Sequence, residues 1–209
     1  MNPTVVRVQY GSYVFSATIM LMKRFLNRAL RILLINDTLV LIASAMIVPI
    51  YAVYVDKIGG DILDAGLAAG IFAIVAGFAV LITGRIADRS QHKARILATG
   101  YLLSSLGFLL YMFVGNIWQL LAVQALVGLA QAIIAPVFDA LYTEHIGSKK
   151  RASSRWSMWE SAYYFAVAIG AAGGAAIVKV FSFDALFVVM SLMCLWSGLF
   201  ILAKSKRIL

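Results

Sequence analysis

The sequence predicts an all-α integral membrane protein with six transmembrane helices, and three observations carry that reading. Of the 209 residues 63% are apolar and 13% charged, whereas a soluble domain holds about half and about a quarter. The charges fall in short clusters between long uncharged runs, and the longest run, from Ile96 up to Asp139, is long enough to cross a bilayer twice. Lys and Arg, finally, are shared very unequally between the loops.

The first 22 residues form a separate segment, ahead of a six-helix bundle over 23–209. Val8 to Met22 is uncharged but interrupted by Gln9, Gly11, Ser12, Ser16 and Thr18. It is short for a span and lacks a small-residue cleavage site. It reads either as an interfacial helix or as sequence upstream of a start at Met20 or Met22, directly before Lys23 and Arg24. Beyond it, stretches of about 20 largely apolar residues place helices near 32–55, 65–86, 95–114, 117–141, 157–178 and 185–203. Only Gly115 and Asn116 separate the third stretch from the fourth, which suits a tight turn between two spans, with Trp118 at an interfacial position.

Orientation follows from the bases. Arg7, Lys23, Arg24, Arg28, Arg31, Arg85, Arg89, Lys93, Arg95, Lys149, Lys150, Arg151, Arg155, Lys204, Lys206 and Arg207 fall on one side, and only Lys57 and Lys179 on the other. The positive-inside rule makes the first side cytoplasmic, and an even number of spans puts both termini there. The expected location is the plasma (cytoplasmic) membrane, with the bilayer as the chain's first partner. The net charge of +9 is thus a matter of topology, since the bases end apolar runs and form no basic face for nucleic acid. Cys194 has no second cysteine to pair with.

Leaving the second stretch is Gly84-Arg85-Ile86-Ala87-Asp88-Arg89-Ser90-Gln91-His92-Lys93-Ala94-Arg95. This loop resembles the one between the second and third helices of the major facilitator superfamily, G-x-L-a-D-r-x-G-r-[KR]. It matches at Gly84, Ala87, Asp88, Arg89 and Lys93 and departs at Ile86 and Gln91. The resemblance covers roughly residues 25–207, half of a twelve-span member. It implies one bundle of two inverted three-helix repeats, with Gly84, Arg85, Asp88, Arg89 and Lys93 forming a conformational-switch loop. In the fourth stretch Gln124 stands where many members of the family place a buried Arg linked to proton coupling. In the fifth, Gly170-Ala171-Ala172-Gly173-Gly174 resembles the G-P-x-x-G-G of drug–proton antiporters with Ala171 in place of Pro. Gly66, Gly70, Gly77 and Gly84, and Gly170, Gly173 and Gly174, are expected to permit close backbone approach between helices.

Ionisable and polar groups inside spans are candidate functional residues. Asp37 lies about a turn inside the first stretch and reads either as a cation or proton contact or as a cap or partner of Arg31 and Asn36. Glu160 reads either as such a site or as an interfacial acid paired with Arg155 or Arg151. Asp139, near the Lys149-Lys150-Arg151 loop, reads as structural. Gln124 and Gln131, seven apart, share a helix face and either contact a polar solute or cross-link helices. Pro49 and Pro136 are placed to bend the first and fourth spans. The two histidines, His92 and His145, fall in loops, so no catalytic or metal-binding cluster assembles within the spans, and neither an enzyme nor a cofactor is expected. The expected function is alternating-access transport of an unidentified small solute. The chain would act as half of a two-bundle transporter, as a homodimer or with a separate second half. The alternative is a truncated or non-transporting six-helix protein that binds a partner.

Overall fold

A computed structural model describes residues 27–147 and 152–208. The 1–22 segment, the bases Arg7, Lys23, Arg24, Lys149, Lys150 and Arg151, and the side chains of Lys206 and Arg207 lie outside the described residues.

Six helices are long and apolar enough to cross a membrane: Arg28–Lys57, Ile62–Arg89, Lys93–Phe113, Ile117–His145, Ala152–Val180 and Phe183–Lys204. No strand occurs among the described residues, as expected where each backbone polar group must be satisfied within its own segment. The first, second, fifth and sixth spans run past both of the ends expected from hydropathy, and the fourth runs past its second end. Polar residues cap several of these helices outside the apolar stretch. Asn27 accepts from Leu30 N at 2.8 Å to open the first span. Asp61 and Asp64 form a reciprocal capping box at the second. Asn116 caps the fourth through Gln119 N at 3.1 Å, and Gly115 N donates to Gln119 Oε1 at 2.8 Å, which closes the expected tight hairpin.

The two prolines act differently. Pro49 sits in a 3-10 turn, Val48–Ile50, that divides the first span into Arg28–Ile47 and Tyr51–Lys57. Pro136 lies within the uninterrupted helix of the fourth span.

The spans pack as neighbours in the order second, fourth, third, sixth, first, fifth, with lesser contacts between first and second, fifth and sixth, and first and fourth. Exchanging first with fourth, second with fifth and third with sixth leaves these principal neighbours unchanged. Each unit of three spans crosses the membrane an odd number of times, so the second unit runs inverted relative to the first. This is the two-repeat bundle that the sequence predicts.

Helices in lipid gain little from burying apolar surface against one another, so contact depends on close backbone approach and on hydrogen bonds. A Cβ at Gly128 would lie 2.5 Å from Phe72 O, and one at Gly170 2.6 Å from Ile42 O. One at Gly174 would collide with Met46 O. Thus the fourth span rests on the second and the fifth on the first, the same pairing once in each half of the pseudosymmetry. Hydroxyl groups add cross-links: Ser105 Oγ donates to Ser191 O at 2.9 Å, Ser197 Oγ to Asn36 O at 3.2 Å, and Thr83 Oγ1 to Ala132 O.

The glycines of the second span do not behave as expected. A Cβ at Gly66, Gly70 or Gly77 would meet no heavy atom within 4 Å, and one at Gly84 would only touch Pro136 at 4.0 Å. Their stripe faces outward, because the second span makes its contact with the fourth through Phe72 and Thr83 instead. Gly173 is similarly open, with only Met46 Cε at 3.9 Å. Gly128→Val is therefore expected to destabilise the bundle by about 1–3 kcal/mol, and Gly70→Val to leave its stability unchanged. Thermal unfolding of both variants in detergent, followed by size-exclusion chromatography, checks the contrast.

Candidate functional site

Asp37 lies nine residues beyond Arg28, about 13 Å along the helix of the first span. It is 4% exposed. Neither Arg31 nor Asn36 partners it. Tyr101 OH of the third span donates to Asp37 Oδ1 at 3.1 Å, and Trp159 Nε1 of the fifth donates to Oδ2 at 2.9 Å. Asn36 turns its side chain back onto Ile32 O at 2.8 Å. The carboxyl group is thus held by two neutral donors from two other spans, an arrangement that orients it without neutralising it. Spacing along the chain carried no sign of Tyr101 or Trp159, which are 64 and 122 residues away.

Aromatic rings continue from Trp159 along the fourth and fifth spans. Phe138 stacks on Tyr142 at 5.5 Å, Tyr142 meets Trp156 at 5.0 Å, Trp156 meets Trp159 edge-on at 5.9 Å, and Trp159 stacks on Tyr163 at 6.1 Å. Tyr142 OH also donates to Arg155 O at 2.6 Å. A second cluster, Tyr54, Tyr111, Phe183 and Phe187, closes the opposite end of the bundle, where Tyr54 OH donates to Tyr111 O at 2.8 Å. Lys57 Nζ sits 5.3 Å from the centre of the Phe183 ring there, in cation–π geometry.

Gln124 and Gln131 do not act as a pair. Gln124 is buried and donates through Nε2 to Tyr51 OH, immediately after the break in the first span. Gln131 is half-buried and contributes nothing to that contact. The first and fourth spans, which occupy equivalent places in the two repeats, are therefore joined by a polar contact near the 3-10 turn, and Asn27 Nδ2 donates to His145 O at 2.9 Å at their other end.

Glu160 is exposed and forms no ion pair with Arg155, and Arg151 lies outside the described residues. Asp139 is exposed as well. The stretch expected to be a loop from Gly84 is helical to Arg89, and only residues 90–92 join the second span to the third; Arg85, Asp88 and Arg89 are exposed at that helix end and Gly84 is half-buried. Lys93 differs, since its Nζ pairs with Glu144 Oε1 of the fourth span at 2.5 Å. That contact ties the start of the third span to the end of the fourth. His145 ends the fourth helix, its ring Nδ1 2.8 Å from Leu141 O, and is not a loop residue.

Among the described residues no group of three or more His, Cys, Asp or Glu is placed to hold a metal ion. The chemistry on offer is polar: a buried carboxyl group within an aromatic wall, a Gln–Tyr pair between the two central spans, and charged loop residues at the basic end.

The family model described as Major Facilitator Superfamily matches residues 33–207. Among curated proteins, the chain is 27% identical over 172 residues to the "Multidrug resistance protein MdtG" of Citrobacter koseri, covering 80% of this chain and 42% of that protein. The protein of the same name from Serratia proteamaculans is 28% identical, with 80% of this chain and 41% of that protein covered. The Salmonella typhimurium protein is 26% identical, with 80% and 42% covered. The chain thus spans about two fifths of the length of the curated relatives it matches.

If the Asp37 cluster holds the first, third and fifth spans together, Tyr101→Phe and Trp159→Phe are each expected to cost about 0.5–2 kcal/mol, as interhelical hydrogen bonds in membranes do. A double-mutant cycle with Asp37→Asn, read by thermal unfolding in detergent, checks the pairing. Additive losses would show that the bonds carry no coupling.

Proposed function

The chain belongs to the major facilitator superfamily, and from that membership we propose that it is one six-helix wall of a membrane transporter that moves a small solute by alternating access. The observation that carries this reading is the distribution of burial. The spans at the two ends of the packing order, the second and fifth, bury only 6% and 17% of their apolar windows, against 39–50% for the other four. Both present small residues outward: Gly66, Gly70, Ala73 and Gly77 on one, Ala168, Ala172 and Ala175 on the other. Small-residue faces are the surfaces on which membrane helices approach each other, and a second bundle is the partner such a wall needs.

In this reading the basic end faces the cytoplasm, as the sixteen-to-two distribution of Lys and Arg implies. Two bundles related by a two-fold axis along the membrane normal set the second span of each against the fifth span of the other. The first and fourth spans then face the gap between bundles, so the break at Pro49 and the Gln124–Tyr51 contact border the path. The second bundle is either another copy of this chain or a separately encoded half. Asp88, at the end of the second span, meets the opposing helix start near Ser153–Ser157, or its counterpart in a separate half, where free N–H groups and the helix dipole favour an acid.

Asp88→Asn is expected to weaken both assembly and uptake while leaving the bundle folded. Native mass spectrometry in mild detergent measures assembly, and proteoliposome uptake of small organic solutes, including toxic compounds, measures transport. A stable six-helix monomer that moves no solute, alone or with a second half supplied, would overturn the reading in favour of a non-transporting membrane module.

A further inference from the structure

The second and fifth spans stand at opposite ends of the packing order, and each leaves a charged side chain uncovered toward the basic end. On the second, Arg85 and Asp88 are exposed, and a Cβ added at Gly66 or Gly77 would meet open space. On the fifth, Ser153, Glu160, Tyr164, Ala168 and Ala175 are exposed and share one face. Arg85 and Glu160 form no ion pair or hydrogen bond among the described residues. Glu160 is eight residues beyond Ala152, about 12 Å along the axis, a depth at which a carboxylate is costly against hydrocarbon and faces protein or water.

A two-fold axis along the membrane normal preserves the direction of each helix, so the second span of one bundle runs antiparallel to the fifth of the other. The two helices have 28 and 29 residues and cross the same bilayer, which sets Arg89 level with Ala152 and Ile62 level with Val180. In that register Asp88 is level with Ser153, Gly77 with Tyr164, Ala73 with Ala168 and Gly66 with Ala175. The one large ring on the fifth-span face, Tyr164, 64% exposed, thus meets a glycine, and the alanines meet small residues. Glu160 is level with Leu81, one turn and about 6 Å from Arg85. An extended arginine covers that rise while its apolar stem lies along the helix.

We propose that the second bundle is another copy of this chain, joined by two symmetric ion pairs, each between Arg85 of one subunit and Glu160 of the other. The inference rests on the transporter reading, which sets the second span of each bundle against the fifth of its partner. Lipid tails would leave both charges unpaired, whereas a second copy supplies the missing partner of each. Both complementary surfaces lie on one chain, so the two-fold axis uses each of them once per subunit and the assembly closes at two. A guanidinium and a carboxylate pair through charge-assisted hydrogen bonds, which are strongest where the packed helices exclude water.

The test uses the full chain in mild detergent, read by native mass spectrometry over a concentration series. The parent should form a dimer, and Arg85→Glu and Glu160→Arg should each raise its dissociation constant at least about tenfold. Combining Arg85→Glu with Glu160→Arg in one chain should restore assembly, which neither a folding defect nor a loss of surface polarity would do. Circular dichroism of each single variant should match the parent, because neither side chain has a partner within its own bundle. In a Cys194→Ser background, chains carrying Ala73→Cys should cross-link under mild oxidation to chains carrying Ala168→Cys, and neither should cross-link to itself. A monomeric parent, a dimer indifferent to both charge reversals, or a charge exchange that fails to restore the dimer overturns the pairing. A monomeric parent that moves solute once a separate second half is supplied loses only this inference. A dimer bridged by Arg85 and Glu160 that moves no solute overturns the transporter reading and leaves the pairing standing.

Discussion

The close approach of the fourth span to the second and of the fifth to the first is the constraint on which the rest of the bundle depends. Apolar side chains are as well solvated by lipid tails as by each other, so burial alone does not bring these helices together. What does is the missing Cβ at Gly128, Gly170 and Gly174, which lets backbone meet backbone. Because the two contacts occupy equivalent places in the two three-helix units, they also set the pseudosymmetry. Hydroxyl bonds such as Ser105 to Ser191 then tie the third and sixth spans behind them.

This packing decides which surfaces remain free. Once the second span is anchored through Phe72 and Thr83, its glycine stripe points away from the bundle. Once the fifth is anchored through Gly170, Gly174 and Trp159, its Ser157, Glu160 and Tyr164 face is left uncovered. The same anchoring buries Asp37 between three spans, so the two acids flanking Trp159 have opposite environments: one enclosed by donors, the other open. A single turn of the fifth helix therefore carries both Trp159, the partner of a buried carboxyl group, and Glu160, an exposed one.

Much of the fold was legible in the sequence. Six spans, the tight hairpin at Gly115 and Asn116, and the extent of the family match follow from composition, turn residues and the loop around Asp88, all local signals. Span ends were less legible, because Asn27, the Asp61–Asp64 box and His145 prolong helices beyond the apolar stretch that hydropathy detects. The candidate site was legible only as a set of residues. Asp37, Gln124 and Glu160 stand out as polar groups in apolar segments, yet Asp37 meets Tyr101 and Trp159 in place of Arg31, and Glu160 forms no ion pair with Arg155.

By itself the sequence determined six stretches apolar enough to span a membrane and where the charges fall between them. Those properties depend on each segment's own transfer from water to lipid. Only the tertiary structure decided that Asp37 meets Tyr101 and Trp159, that Gln124 meets Tyr51, and that Gly170 and Gly174 of the fifth span are covered while the glycines of the second are open. A helix displays side chains in all directions at a fixed period, and which direction becomes interior is set by the neighbours it packs against, residues far away in the chain.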